Sequence, residues 1–320
     1  MAKTIDTVPS ISFGVIAKVK DYFQLMKFTL SFTVVFSCMI CYLLAPKVVS
    51  YDWTMIVLLF IAGMLVSGSA NAINQAVEKD TDAQMKRTKK RPVADGRMSV
   101  NEAYAFALVA GVVGVLMMYY FFNLSSALVS AFSLFLYAYI YTPLKKINSI
   151  AVLIGGIPGA LPCLIGWVAG QDDFAIGGWV LFAIQFIWQF PHFWAIAWVA
   201  HSDYTKVGFK LLPSENGPTK FTALQAIMYS VLMIPIGLLP MYFGLTGKVS
   251  MWILVACNLF MIFQCIRLYK DMDVKAARRV MFSSYIYLPI VLLALLADKI
   301  PQTSKGAIGE ITIFIQSLLA

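Results

Sequence analysis

Long apolar segments dominate the chain and are separated by short polar loops. Nine of them approach the roughly 20 apolar residues that a helix needs to cross a hydrocarbon core of about 30 Å. Their approximate limits are residues 25–45, 54–77, 102–122, 125–142, 150–170, 177–200, 222–244, 250–268 and 281–298. This pattern predicts an all-α integral membrane protein with nine transmembrane helices.

The same pattern predicts one polytopic domain over residues 1–320. An N-terminal segment at 1–24 precedes a membrane bundle at 25–298. The tail at 299–320 contains the apolar sequence IGEITIFIQSLLA, which is too short for a tenth span and is expected to lie at the membrane interface. No cleaved targeting sequence is expected, because residues 1–20 have neither an apolar core nor an Arg-rich amphipathic pattern.

Composition supports the membrane class. Apolar residues make up 60% of the chain and charged residues 13%, whereas soluble domains average about 45–50% and about 25%. A globule of 320 residues could not cover its surface with so few charges, which excludes a soluble enzyme, a disordered chain, a disulfide scaffold and a fibrous repeat. The net charge of +9 is then best matched by anionic membrane lipid, and no nucleic-acid partner is expected.

The basic residues predict the orientation of the bundle. With nine spans, 21 of the 25 Lys and Arg residues fall on one side of the membrane. Cytoplasmic loops carry the excess of Lys and Arg. The N-terminus is therefore predicted to be cytoplasmic and the C-terminus to lie outside.

A stripe of polar side chains marks the cytoplasmic end of the second span. Asn71, Asn74, Glu78 and Asp82 follow steps of three, four and four, so they share one helical face, whereas Asp80 lies off it. Carboxylates stacked at a helix C-terminus repel one another and oppose the helix dipole, so they need a cation. Oxygen ligands of this kind suit Mg²⁺ that bridges to a phosphate.

The loop that follows this face is strongly basic. Its cations are Lys86, Arg87, Lys89, Lys90, Arg91 and Arg97, and Lys145 and Lys146 lie at the same predicted surface. Arginine binds phosphate oxygens through a two-pronged fork, and lysine acts as a point charge. The acidic face and the basic loop together predict a site for a Mg²⁺–diphosphate complex. The alternative is a solvated loop whose cations only set the topology.

The sixth span contains the two histidines of the chain, in the sequence WQFPHFWAIAWVAHSDY. Asp203 is placed at its cytoplasmic end, level with Glu78 and Asp82. His192 lies eleven residues earlier, which places it about 16 Å deeper at about 1.5 Å per residue. An imidazole at that depth must pair, bind a metal or line a cavity. A structural histidine with a satisfied hydrogen bond is the alternative.

A glycine- and proline-rich block precedes the fifth span's centre. The sequence IGGIPGALP at 154–162, together with Gly166, permits close helix packing and a break in the helix. Tight packing is the expected role, and a flat ligand against this face is the alternative.

Taken together, these motifs resemble the UbiA superfamily of intramembrane prenyltransferases, and most of all its haem-farnesylating branch. The superfamily signature NDxxDxxxD is matched by Asn74, Glu78 and Asp82, with Gln75 at the position of the first acid. Further blocks similar to that branch are RTKKRP at 87–92, YTPLKK at 141–146, IGGIPGALP at 154–162, WQFPHF at 188–193 and DYTKVGFKLLP at 203–213. The resemblance extends from about Tyr22 to Arg279.

The resemblance implies Mg²⁺-dependent transfer of a farnesyl group from farnesyl diphosphate to the vinyl group of haem B, which gives haem O. The implied catalytic and metal-binding residues are Asn74, Glu78, Asp82 and Asp203. Diphosphate contacts are expected from Asn71, Arg87, Lys89, Arg91, Lys145 and Lys146, and haem contacts from His192, Gln189, Tyr141 and His201. Haem B is then a substrate, and Mg²⁺ is the expected cofactor.

The resemblance also implies a multi-pass protein of a bacterial inner membrane, with a haem A synthase or a terminal oxidase assembly factor as the candidate protein partner. Three alternatives remain open at this point. The same chemistry could act on an aromatic quinone precursor. A secondary transporter could use similar buried polar groups. A haem-binding or haem-chaperone protein would bind haem independently of Mg²⁺.

Overall fold

The computed structural model describes residues 11–214 and 216–301, and this part of the chain is built from helices. The one pairing of extended backbone within it is an isolated antiparallel bridge between Thr246 and Lys299. The predicted interfacial tail lies almost entirely outside the described residues.

Thirteen α-helices are present in the described part. They are α1 (Ile11–Leu25), α2 (Phe28–Leu44), α3 (Trp53–Val77), α4 (Lys79–Gln84), α5 (Val100–Phe121), α6 (Leu124–Phe135), α7 (Thr142–Leu144), α8 (Ala151–Gln171), α9 (Ile176–Val199), α10 (His201–Lys206), α11 (Lys220–Tyr242), α12 (Lys248–Asp271) and α13 (Val274–Ala297). A π-helical segment, Leu136–Tyr141, joins α6 to α7.

The predicted membrane class is confirmed by the lengths and apolar composition of these helices. Eight spans qualify on their own among the described residues, when α6, the π-helical segment and α7 count as one span, Leu124–Leu144. The bent pair α1 and α2 supplies a ninth if it is taken as one span. These spans coincide in position with the nine predicted segments, whereas the orientation of the termini stays a prediction.

Several helices extend beyond the apolar runs that predict them. The ninth segment was expected at 281–298, but α13 begins at Val274, where the Asp273 carboxylate caps the helix by accepting from Ala276 N at 2.6 Å. An apolar run ends at the first charged residue, whereas a helix ends where its backbone groups find other partners. The helices therefore continue past the predicted edges.

The first predicted span, 25–45, corresponds to α2, and a bend separates it from the preceding helix α1. Lys27 adopts a left-handed conformation with φ 49° between α1 and α2, which meet at 52°. Two amides of α3 hold the bend: Asn71 Nδ2 donates to Met26 O at 3.2 Å, and Gln75 Nε2 donates to Gln24 O and Leu25 O at 2.9 Å. The bend consequently ties the start of α2 to the polar end of α3.

Helix α8 lies at the centre of the bundle. It packs against α2, α6 and α9, and most of its residues are buried. At Gly166 the backbones of α8 and α2 approach so closely that an added Cβ would overlap the Cys38 carbonyl. The predicted packing role of small residues is therefore confirmed, and α8 continues unbroken through Pro158 and Pro162.

Replacing Gly166 tests this close approach. Gly166→Ala should destabilise the protein by about 1–3 kcal/mol, because the methyl group forces α8 away from α2. Thermal unfolding in detergent would show a lower midpoint. Gly14→Ala is the matched control, since a Cβ at exposed Gly14 meets nothing within 4 Å. Equal midpoints for the two variants would contradict the packing argument.

Candidate active site

The polar end of α3 and the short helix α4 form one continuous acidic face. Glu78 lies between α3 and α4. Glu78 N nevertheless donates to Asn74 O at 2.9 Å, and Asp82 N donates to Glu78 O at 2.7 Å. The helical register therefore continues across the junction. Asn74, Glu78 and Asp82 are buried, whereas Asp80 is exposed. This is the arrangement that the sequence spacing predicts.

Each of the three residues Asn74, Glu78 and Asp82 is paired with its own cation. The pairs are Lys27 Nζ with Asn74 Oδ1 at 2.8 Å, Lys145 Nζ with Glu78 Oε1 at 2.8 Å, and Arg91 Nη1 with Asp82 Oδ2 at 2.6 Å. The three cations come from three distant parts of the chain. We call these six residues the paired cluster.

The electrostatics of the paired cluster follow from burial and pairing. Burial alone would raise the pKa of Glu78, but the adjacent Lys145 ammonium outweighs it and the pKa is lowered. Burial would likewise lower the pKa of Lys145, but Glu78 outweighs it and the pKa is raised. For Asp82, burial outweighs Arg91 and the pKa is raised. The Glu78–Lys145 pair is thus held in its charged form.

The basic loop between α4 and α5 is docked onto this face. Thr88 Oγ1 donates to Asp82 O at 2.9 Å, which holds the loop next to α4. Arg97 donates to Lys90 O at 2.7 Å and also contacts Asp21 of α1. The loop is consequently fixed at both ends, and Arg91 is held beside Asp82.

The predicted diphosphate residues occupy different environments. Arg91 and Lys145 lie in the paired cluster, and Arg87 Nη2 lies 3.3 Å from the Tyr204 hydroxyl. Lys89 and Lys146 are exposed. Asn71 donates to Met26 O and to Ser31 Oγ, so its amide group is used in holding the α1–α2 bend.

Lys27 is the cluster residue that the sequence reasoning missed. It is half-buried and donates to Asn74 Oδ1, and the charges of Arg91, Lys145, Glu78 and Asp82 all act on its ammonium group. The available signal was a single basic residue at the start of an apolar run. A lysine at that position usually marks the edge of a span. The Lys27 side chain faces α3 only because the chain bends at this residue.

The oxygen atoms of the acidic face fit a divalent cation in their chemistry. Asp82 Oδ1 is buried and has no hydrogen-bond partner in the described part of the chain. Carboxylate and amide oxygens are the ligands that Mg²⁺ prefers. Among the described residues, no three His, Cys, Asp or Glu side chains converge to hold a metal ion. The predicted four-residue set including Asp203 therefore stays a prediction.

Asp203 lies on a separate short helix. α9 ends at Val199 and α10 begins at His201, but Ala200 N donates to Ile196 O at 2.9 Å and Tyr204 N donates to Ala200 O at 3.0 Å, so the helical register continues across the junction. Asp203 Oδ1 lies 3.5 Å from Lys206 Nζ on the same helix. Its neighbour Tyr204 is the residue that reaches the basic loop, through Arg87.

The four predicted haem residues have different contacts. The Tyr141 ring lies at the paired cluster, with Lys145 Nζ 4.6 Å from its centroid. Gln189 Nε2 donates to Gly156 O at 3.0 Å, within the α8–α9 packing. His201 lines a cavity of about 370 Å³ beside α10.

His192, on α9, is buried and faces α13. Its Nδ1 lies 2.7 Å from Ser284 Oγ, and its ring stacks on Trp188 with a centroid distance of 4.8 Å. The Tyr285 ring meets it edge-on at 5.1 Å. His192 is thus enclosed by the Ser284 hydroxyl and by the rings of Trp188 and Tyr285.

Comparison with known proteins places this geometry in a family. Residues 34–287 match the model of the UbiA prenyltransferase family. A protoheme IX farnesyltransferase of Cytophaga hutchinsonii is 44% identical over 279 residues, which cover 87% of this chain and 97% of that protein.

Solved structures show the same fold. The chain superposes with a TM-score of 0.72 on a structure from a study of digeranylgeranylglyceryl phosphate synthase, at 24% identity, covering 88% of this chain and 98% of that one. A UbiA homologue from Archaeoglobus fulgidus bound to GPP and Mg²⁺ gives 0.65 at 15% identity, with 86% and 99% covered. The chain belongs to the UbiA prenyltransferase family and is an integral membrane prenyltransferase.

Proposed function

We propose that the chain transfers a farnesyl group from farnesyl diphosphate to a vinyl group of haem B and so makes haem O. The observation that carries the proposal is the paired cluster, which gathers oxygen donors and three cations at one end of an apolar bundle. The relative named protoheme IX farnesyltransferase, 44% identical over most of both chains, supports farnesylation of haem.

Asn74, Glu78 and Asp82 are the residues that would hold Mg²⁺, with Asp203 as a further candidate. When bound, the ion would neutralise negative charge on the diphosphate as the leaving group departs. The Archaeoglobus fulgidus homologue bound to GPP and Mg²⁺ supports this cofactor. The buried Asp82 Oδ1, which has no hydrogen-bond partner in the described residues, supports it independently.

The cations of the cluster are proposed to bind the pyrophosphate leaving group. Lys27, Lys145 and Arg91 are already positioned against the acidic face, so little reorganisation is needed as negative charge develops. Arg87 would add a contact from the Tyr204 side. The exposed Lys89 and Lys146, together with Asn71, remain weaker candidates for diphosphate contacts.

The proposed reaction needs no nucleophilic side chain. The C1–O bond of farnesyl diphosphate breaks, and the pyrophosphate takes both electrons. The terminal vinyl carbon bonds to C1, and the cation left on the haem substituent is quenched by water, which releases a proton. The protein aligns C1 with the vinyl group and keeps water away until the carbon–carbon bond has formed.

His192 is the proposed haem contact with the clearest geometry, because its ring is fixed by Ser284 and Trp188. Neutral imidazole is a common ligand of haem iron. Tyr141, Gln189 and His201 are the other proposed contacts along the porphyrin. A cytoplasmic N-terminus, a bacterial inner membrane, and a haem A synthase or terminal oxidase assembly factor as partner belong to the same proposal.

The acidic face should be essential for turnover. Glu78→Gln and Asp82→Asn are each expected to lower the rate by about 10²–10³-fold, since each removes a carboxylate proposed to hold the Mg²⁺ that would neutralise the departing diphosphate. The purified protein would be incubated with haem B, farnesyl diphosphate and Mg²⁺, and haem O quantified by mass spectrometry. Asp80→Asn, on the exposed side of the same helix, is the matched control. Wild-type turnover in Asp82→Asn would refute the assignment.

Lys27 should matter for diphosphate binding. Lys27→Gln is expected to raise the KM for farnesyl diphosphate by about ten- to a hundredfold, because a charge-assisted hydrogen bond of about 1.5–3 kcal/mol is lost. The same assay at varied diphosphate concentration gives the KM. Lys20→Gln removes an exposed lysine of α1 and should leave the KM unchanged. Identical KM values for both variants would remove Lys27 from the site.

The acceptor can be identified directly. Radiolabelled farnesyl diphosphate is offered with haem B or with an aromatic quinone precursor such as 4-hydroxybenzoate, each with Mg²⁺ or with EDTA. Labelled product is expected only with haem B and Mg²⁺. Product formed only with the aromatic acid would show that the acceptor is the aromatic acid and not haem.

A further inference from the structure

The Ser284 hydroxyl takes part in two hydrogen bonds that together determine which ring nitrogen of His192 carries the proton. Ser284 Oγ lies 2.6 Å from Met281 O and 2.7 Å from His192 Nδ1. A carbonyl oxygen can only accept, and a hydroxyl has a single hydrogen. Ser284 therefore donates to Met281 O, and its oxygen accepts from His192. The hydrogen between the two side chains belongs to His192 Nδ1.

The other ring nitrogen of His192 is then left as an acceptor. A neutral imidazole carries one N–H, so a hydrogen on Nδ1 leaves a free lone pair on Nε2. In the described part of the chain, Ser284 is the hydrogen-bond partner of the ring, and the remaining neighbours are the aromatic rings of Trp188, Phe193 and Tyr285. No carboxylate among them favours the doubly protonated form.

The surrounding structure also fixes the orientation of the ring. The bond to Met281 O lies within one turn of α13, so it holds the Ser284 rotamer from its own helix. Trp188 stacks on the imidazole at an interplanar angle of 19°. His192 is on α9 and Ser284 on α13, so the packing of these two helices sets their relation.

We propose that Ser284 is a positioning residue for the haem acceptor, and this inference rests on the proposed function. It keeps His192 in the Nδ1–H form and so makes the Nε2 lone pair available to the haem iron. Histidines that bind metals generally donate their second ring N–H to a fixed acceptor, which sets the tautomer and strengthens the ligand. Ser284 supplies that acceptor here.

Ser284 acts on the acceptor side of the proposed reaction. It precedes Tyr285 in α13, and the Tyr285 ring meets the His192 ring edge-on at 5.1 Å. Haem bound through His192 would consequently be oriented by the packing of α9 against α13, so Ser284 would influence how the vinyl group is placed.

The tautomer can be read without altering the serine. The chain has two histidines, so ¹⁵N-histidine labelling gives a simple spectrum in which His201→Gln assigns the remaining signals to His192. In the haem-free protein we expect a protonated Nδ1 and an unprotonated Nε2. A hydrogen on Nε2 would overturn the inference.

Substitution then tests the link to haem. Ser284→Ala should weaken the affinity for ferric haem B about tenfold or more and change the axial-ligand signature in the optical and EPR spectra. Ser284→Thr, which keeps the hydroxyl, should restore both. Ser283→Ala, one residue earlier in α13, is the control and should match the wild type.

Failure of this inference is distinguishable from failure of the proposed function. If wild-type protein makes haem O but Ser284→Ala binds haem with unchanged spectrum and affinity, the role of Ser284 is wrong and the proposed function stands. If wild-type protein neither binds nor farnesylates haem, both are wrong.

Discussion

The structure depends on one electrostatic constraint: carboxylates buried at the edge of a membrane bundle must be matched by cations. An unpaired buried charge costs several kcal/mol, whereas a hydrogen-bonded pair recovers most of that cost. Glu78 and Asp82 meet this requirement through Lys145 and Arg91. The bend before α2, the segment after α7 and the docked loop each deliver one cation, so local features of the fold that look unrelated all serve the paired cluster.

The same constraint explains how one site can serve both the resting protein and the proposed reaction. Cations that balance the acidic face in the described structure are already in place to balance a pyrophosphate. The Glu78–Lys145 pair stays charged because each partner holds the pKa of the other on the charged side. A site that is preorganised in this way loses little energy to reorganisation when negative charge develops.

The proposed acceptor side is organised by different interactions. His192, Ser284 and Trp188 form a neutral group, held by hydrogen bonds and ring stacking, within the membrane-spanning helices α9 and α13. Charged chemistry is thus confined to helix ends and loops, and the interior presents a neutral imidazole among aromatic rings. This separation follows from the cost of placing charge within the hydrocarbon region.

The amino-acid sequence alone determined the positions of the spans, the inward face of Asn74, Glu78 and Asp82, and the basic loop. These features are local, since they depend on the length of an apolar run and on the helical period of 3.6 residues. Other features are decided by contacts between residues far apart in the chain. The role of Lys27 requires a bend held by Asn71 and Gln75 of α3, Arg87 of the basic loop meets Tyr204 of α10, and the tautomer of His192 is set by a serine 92 positions away. Spacing along one helix cannot reveal such partners, because tertiary packing selects them.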